Sequence, residues 1–372
     1  MNWDDLRRAP WPDTARLPAR PPDAGTAARL GLPPTLRPVP DAEQVPVFDP
    51  AMKHHRRALR PSEPRFGDPD RGARWYAARR RALDHVLAGV AGSEWSANLM
   101  LRGSMLLSAW YGAAARDPGD LDFVLRPEDW DVHEKRTDDL LTGIARAAEA
   151  ASRAAEAASH AAEAASHAAE AAPPADDASR AADGDAPAGE VLIHADGAVW
   201  SDIWTYDRVP GRRVVLPWAA EGTAGGTVQL DFVFNEPLPA EPEFTDVPRA
   251  DGSGSARVLA ATPELSLAWK VLWLYSDAYG EGKDLYDACL LAEHTRLPSE
   301  LLGKALELAD HSYRNGPVTE TGFPESFAAD FREALEYVEW DEFRKDRPNL
   351  PVSPQPYIDR LTDALAPTFA GL

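Results

Sequence analysis

Apolar residues recur at helical spacing over residues 70–91. Trp75, Ala78, Leu83, Val86, Leu87 and Val90 form one stripe, with Arg79, Arg80 and Arg81 between. The pattern then shortens. Residues 97–101 read as a strand leading through Arg102-Gly103-Ser104 into a helix with Met105, Leu106, Leu107, Trp110 and Tyr111, closed by Gly112. Pro118-Gly119 turns the chain into Asp-Leu-Asp-Phe-Val-Leu, residues 120–125. Period-two alternation puts Asp120, Asp122 and Val124 on one face of that strand and Leu121, Phe123 and Leu125 on the other.

Further on, residues 200–206, 212–216 and 227–235 read as three strands of an antiparallel meander. Pro210-Gly211 and the glycine-rich loop 222–226 separate them. In the last strand Val228, Leu230, Phe232 and Phe234 share one face, and Gln229, Asp231, Val233 and Asn235 the other. The polarity matches the earlier strand. If the two are neighbours, Asp231 lies beside Asp120 and Asp122. Beyond Pro248 the pattern is helical throughout. Thr262-Pro263-Glu264 is a start signal for a helix carrying Leu267, Trp269, Lys270, Val271, Leu272, Trp273 and Leu274. Further helices are predicted at 282–293, 298–311, 324–337 and 354–365.

Two stretches fall outside these patterns. Residues 1–70 are rich in Pro and Arg and read as an extended, largely irregular arm. A solvated extension is the ordinary reading, although the composition also suits RNA. From 144 to 172, Ala-Ala-Glu-Ala-Ala-Ser recurs with a seven-residue period. Alanine favours helix but buries too little surface for a strong coiled-coil seam. His160 and His167 follow the repeat and are not a metal site. Residues 173–189 form an acidic linker. The chain therefore divides into an arm (1–70), an α+β core with a mixed or antiparallel sheet flanked by helices (71–143 and 190–247), an Ala-rich insertion with its linker (144–189), and a C-terminal α-helical domain (248–372).

Composition narrows the function. A net charge of −21 and a pI near 4.8 exclude non-specific coating of nucleic acid, so an RNA partner requires a local basic patch. Cys289 is the single cysteine, which rules out an internal disulfide and a zinc framework and fits a reducing cytoplasm. The first residues lack the apolar core of a signal peptide, and no run approaches the ~20 apolar residues of a membrane span.

The strongest chemistry is the carboxylate group Asp120, Asp122 and Asp231. Three carboxylates on one sheet face repel one another without a cation, and Mg²⁺ takes one or two carboxylates plus substrate phosphates. Solvated strand-end aspartates are the plain alternative. Gly103 and Ser104 open a helix whose free N–H groups suit a phosphate, although a simple N-cap would look the same. Lys270 is a lone charge on an apolar helix, either facing a polar cleft or snorkelling at a seam. Lys283, Asp284 and Asp287 cluster on a helix surface and read locally as an ion-pair group. No P-loop, dinucleotide fingerprint or nucleophile triad is present.

In order, Leu101-Arg-Gly-Ser-Met-Leu-Leu, Ala115-Arg, Asp120-Leu-Asp-Phe-Val, Leu267-Ala-Trp-Lys270 and Lys283-Asp-Leu-Tyr-Asp287 resemble the signature of the AbiEii/AbiGii toxin family, within the DNA polymerase β-like nucleotidyltransferase superfamily. The likeness covers about 71–125 and 191–308. It implies Mg²⁺-dependent transfer of NMP from an NTP to a hydroxyl, by a toxin whose partner is a cognate antitoxin and whose acceptor is RNA, particularly tRNA. It also implies that Gly103 and Ser104 hold phosphates, that Asp120, Asp122 and Asp231 bind metal, and that Asp231 assists deprotonation of the acceptor. Lys270 would contact the triphosphate, and Lys283, Asp284 and Asp287 would line the nucleotide or acceptor cleft. Fifteen residues separate Ser104 from Asp120, longer than the family pattern, so an enlarged turn is expected there. Two other readings stand beside this one: nucleotidylation of a cationic small molecule such as an aminoglycoside, and a non-catalytic nucleotide-binding protein that keeps the fold.

Overall fold

The computed structural model describes residues 3, 16–170, 190–205, 209–277, 280–308, 327–345 and 347–372. The linker expected at 173–189, Tyr206, residues 309–311 and residues 324–326 lie outside them.

The arm is structured where it is described. It carries α1 (Ala24–Leu30), β1 (Pro46–Phe48) and β2 (Leu59–Pro61), the two strands pairing antiparallel. Asp23 caps α1, accepting from the Thr26 N–H, and Leu30, Leu32, Leu36 and Leu59 bury together. Most of the described arm is irregular in backbone, as expected, but its buried leucines correct the reading of a solvated extension. Its prolines sit at turns and strand ends, so they direct the path without preventing packing.

The core begins with α2 (Pro69–Ala91), entered at Asp68 and Pro69. Then come β3 (Leu99–Arg102), α3 (Ser104–Tyr111) and β4 (Asp120–Leu125). The chain continues through α4 (Lys135–Glu170), β5 (Val191–Ile193), β6 (Val199–Thr205), β7 (Val209–Ala220) and β8 (Gly226–Val233). Among the described residues these strands join two more, β9 (Glu243–Pro248) and β10 (Ser255–Ala260), in one eight-stranded sheet. Its order is β5-β7-β8-β4-β3-β10-β9, with β6 on the free side of β7. The β4–β8 and β10–β3 pairs are parallel and the others antiparallel, so the fold is α+β with a mixed sheet.

The hairpin β9–β10 corrects the expectation of helix from residue 248 onward. Ala256, Val258 and Ala260 alternate inward, and the Asp-Gly-Ser-Gly turn before them lets the chain double back. The helices begin only at α5 (Pro263–Ser276), where the Thr262 hydroxyl accepts from the Leu265 N–H. They continue with α6 (Gly282–His294), α7 (Ser299–Glu307), α8 (Phe327–Leu335), α9 (Trp340–Arg344) and α10 (Gln355–Phe369).

The Ala-rich segment is not a separate insertion along its whole length. Leu140, Leu141, Ile144, Ala145 and Ala148 are buried, and the Ser152 hydroxyl accepts from the Ile193 N–H. A Cβ on Gly89 of α2 would lie 2.6 Å from the Ala148 nitrogen. Small side chains on both helices thus let their backbones meet. Beyond Ser152 the buried face of the helix runs out, and residues 157–162 are exposed.

Candidate active site

One row of the sheet carries four charges. The register sets Arg102 of β3 opposite Asp122 of β4, Asp122 beside Asp231 of β8, and Asp231 opposite Arg213 of β7. Side chains in such a row share one face. On the reverse face Phe123 and Phe232 stack at 5.5 Å, so an apolar core backs the charged row. The conditional neighbourhood of the two aspartate strands is therefore met, in parallel register.

The two ends of the row are compensated from outside the sheet. Arg102 Nη1 donates to Glu236 at 2.7 Å, both side chains being buried, and its guanidinium lies over the rings of Trp269 and Trp273 on α5. Arg213 donates to both oxygens of Asp231 at 2.8 Å and also to buried Asp49 of the arm. Burial raises the Asp231 carboxyl above its ordinary value even against the pull of Arg213. Burial likewise opposes ionisation of Asp49, but Arg213, with help from Arg60 and Lys283, holds that carboxyl low.

The middle of the row is not compensated. Burial, then Asp120, then Asp231 push the Asp122 carboxyl up to about 7, and Arg102 and Lys283 only partly oppose them. Burial and two neighbouring carboxylates thus disfavour the ionised form of Asp122. Gly103 sits against this carboxylate with φ +85°. A Cβ there would lie 2.6 Å from Asp122 Oδ2, so the position admits only glycine. Ser104 begins α3, and its buried hydroxyl has no hydrogen-bond partner among the described residues. An orphaned hydroxyl at a helix N-terminus, beside an under-compensated carboxylate, suits a phosphate and its metal.

A second cluster joins the helices to the turn before β4. Arg116 forms a bidentate pair with the fully buried Asp287 of α6, with Nε to Oδ1 at 3.1 Å and Nη2 to Oδ2 at 3.1 Å. Lys270 of α5 lies 2.5 Å from Asp284 and 3.1 Å from Asp287. Burial alone would raise the Asp287 carboxyl, but Arg116 and Lys270 outweigh it and hold it low. Burial would lower the Lys270 amine, and Asp284 and Asp287 raise it instead. Tyr286 adds a hydrogen bond to the Ala114 carbonyl at 3.0 Å. The long interval between Ser104 and Asp120 thus serves as an anchor, with Arg116 as its hook.

The structure brings Asp120, Asp122, Asp231, Gly103 and Ser104 together on the sheet. It commits Lys270, Asp284 and Asp287 to one another. Lys283 stands between the groups: it pairs with Glu281 at 2.8 Å, is about 37% exposed, and acts on Asp122 and Asp49. Sequence patterning missed Arg213, Asp49 and Glu236, whose meaning lies in partners far along the chain. Arg116 was visible only as part of a motif.

Among the described residues no three His, Cys, Asp or Glu side chains converge as a ready-made metal cage. Both Asp231 oxygens accept from Arg213, so a divalent ion would rest chiefly on Asp120 and Asp122 and complete its shell from phosphate, water and the remaining Asp231 lone pair. That donor set fits Mg²⁺. No helix among the described residues is long and apolar enough to cross a membrane.

The family model described as nucleotidyl transferase AbiEii toxin, type IV toxin–antitoxin system, matches residues 85–364. No curated protein matches the chain. Among solved structures, the nucleotidyltransferase toxin MenT4 of Mycobacterium tuberculosis is similar at 16% identity and a TM-score of 0.37, covering 80% of this chain and 94% of that one. An antigenic nucleotidyltransferase-like protein of Paracoccidioides brasiliensis is similar at 12% identity and a TM-score of 0.31, covering 76% and 93%.

Proposed function

The chain belongs to the AbiEii nucleotidyltransferase toxin family and is a nucleotidyltransferase; from that premise we propose that it transfers NMP from an NTP to a hydroxyl of RNA, with tRNA as the favoured acceptor, and that it does so with Mg²⁺. The observation that carries this reading is the under-compensated Asp122, with Asp120 on the same strand face, beside the Gly103-Ser104 turn.

Asp120 and Asp122 would hold Mg²⁺, which when bound would screen the phosphate charge and supply the counter-charge that the carboxylate row lacks. The α3 N-terminus and the Ser104 hydroxyl receive a phosphate. Lys283 offers a cation to the triphosphate. Lys270, Asp284 and Asp287 form a paired unit that fixes Arg116, and so the turn into β4, beneath the nucleotide. The acceptor oxygen bonds to the α-phosphorus, the bond to the bridging oxygen breaks, and pyrophosphate leaves. The hydroxyl proton passes to Asp231. Its raised carboxyl suits a base, and Oδ1 keeps a lone pair beyond the one facing Arg213. The helices from Pro263 onward act as the domain that closes the nucleotide site, and a cognate antitoxin is the regulatory partner.

The test is incubation with Mg²⁺ and each radiolabelled NTP in the presence of total tRNA, protein extract or aminoglycosides. Label in tRNA, lost in Asp120→Asn/Asp122→Asn and with EDTA, is the expected result. Label in the small-molecule fraction alone would move the acceptor to that class. A folded protein that labels nothing would leave a nucleotide-binding role.

A further inference from the structure

The acidic chain holds a basic and aromatic surface along the sheet edge that flanks the site, and we propose that it binds the single-stranded RNA acceptor. Lys53-His-His-Arg-Arg57 is a run of five basic-type residues in a chain of net charge −21. It links two parts of the arm that are both rooted at the site. Four residues before it, Asp49 is buried against Arg213, the partner of Asp231. Three residues after it, Arg60 acts on Asp49, Glu281 and Lys283. Four residues of chain reach at most about 14 Å, so the loop cannot leave the neighbourhood of the carboxylates. His54 and Arg56 are exposed.

The loop folds against the edge strand β6. His55 Nε2 lies 2.8 Å from the Asp202 carbonyl oxygen, and Met52, Ala58 and Ile203 bury together beneath it. The face of β6 turned away from the carboxylate row presents Trp200 and Trp204, 45% and 37% exposed. They share a face and stand about 13 Å apart along the strand. The His54 ring meets Trp204 edge-on at 5.3 Å. Asp202 lies between the tryptophans and is answered by Arg212, whose Nε is 3.2 Å from its oxygen.

Cations that follow a phosphate backbone, interleaved with exposed aromatic faces, are what sequence-tolerant single-strand binding requires. A protein partner would explain exposed tryptophans on an edge strand, but it does not call for the adjoining cations on a chain this acidic. The RNA 3′ end would stack along β6, turn round the sheet edge over the loop at Arg56 and reach Asp120 and Asp122 past Arg60. The loop precedes the span matched by the family model, whereas β6 lies within it, so the loop is the part of this surface that would set acceptor choice in this chain specifically. The proposal rests on the RNA-acceptor reading above.

The test uses the full chain and a fluorescein-labelled single-stranded RNA of about eight nucleotides. Binding is read by anisotropy across a salt series and by tryptophan quenching. Trp200→Ala and Trp204→Ala should each weaken binding about tenfold. Arg56→Gln should weaken it and flatten the slope of log K against log salt by about 0.7. In transfer assays the same variants should raise KM for RNA and leave kcat and Mg²⁺-NTP affinity unchanged. Phe244→Ala on β9, an exposed aromatic (53%) near Arg257 at the opposite sheet edge, is the control and should bind RNA as wild type does. Wild-type binding retained in all three variants overturns the proposal. So does a wild type that does not bind the probe, or whose edge tryptophans are covered only by a protein partner. Direct binding separates the two readings: RNA bound through this surface but never labelled would sink the acceptor chemistry and leave the surface standing.

Discussion

The two charged clusters are built from the same residue types and end in opposite states. On the helices, Arg116, Lys270, Asp284 and Asp287 pair with one another, and burial costs are met within the group. On the sheet, Arg102 and Arg213 are drawn off to Glu236 and Asp49 as well as to the row, leaving Asp122 under-compensated. A closed ion-pair group holds parts together. An open one holds a place for an ion. Residue type does not separate these outcomes, but charge balance does.

The comparison is broken most severely at the open cluster. Asp122→Asn should lower NMP transfer by about 10³-fold, since it removes a metal ligand, while urea unfolding shows unchanged or greater stability because a repulsion is gone. The closed cluster should answer the other way. Asp287→Asn leaves Arg116 and Lys270 without their shared counter-ion in a dry site, and denaturant unfolding should lose about 3–5 kcal/mol.

Acidity sharpens the contrast. The Asp122 carboxyl has its folded value near 7, above the ordinary 3.8. A raised folded value means that its contribution to stability is full below about 3.8 and is lost as pH climbs through about 7. Mg²⁺ should offset that loss. The gain in Tm on adding Mg²⁺ is expected to grow from pH 6 to pH 8 and to vanish in Asp122→Asn. The smallest effect is at Ser104→Ala. Removing an orphaned hydroxyl should leave stability level or slightly improved and raise KM for the NTP by about five- to tenfold, read in steady-state kinetics.

Much of the sheet was legible because period-two alternation is a local signal. It set the faces of β4 and β8 and the apolar backing at Phe123 and Phe232. The hairpin β9–β10 was not legible, because prolines and glycines from Glu236 to Gly254 mask a strand that gains its meaning only by pairing with β3. The arm misled for a related reason: its composition reads as solvated, yet Asp49 is fixed by Arg213, a residue no local pattern could join to it. Lys270 illustrates the limit at the site. Its helix face was evident, but whether it would meet phosphate or carboxylate depended on α6.

The parallel contact between β4 and β8 has a consequence for when the protein becomes active. Its two carboxylate strands are separated by all of α4, β5, β6 and β7, so a growing chain carries Asp120 and Asp122 long before it has Asp231. Non-local pairing of this kind forms late, after the loop-closure cost of the intervening chain is met. A ribosome-bound fragment ending before β8 would therefore be chemically silent. For a toxin, this topology acts as a delay built into synthesis, and nascent chains arrested before and after residue 233 should differ in Mg²⁺-NTP binding.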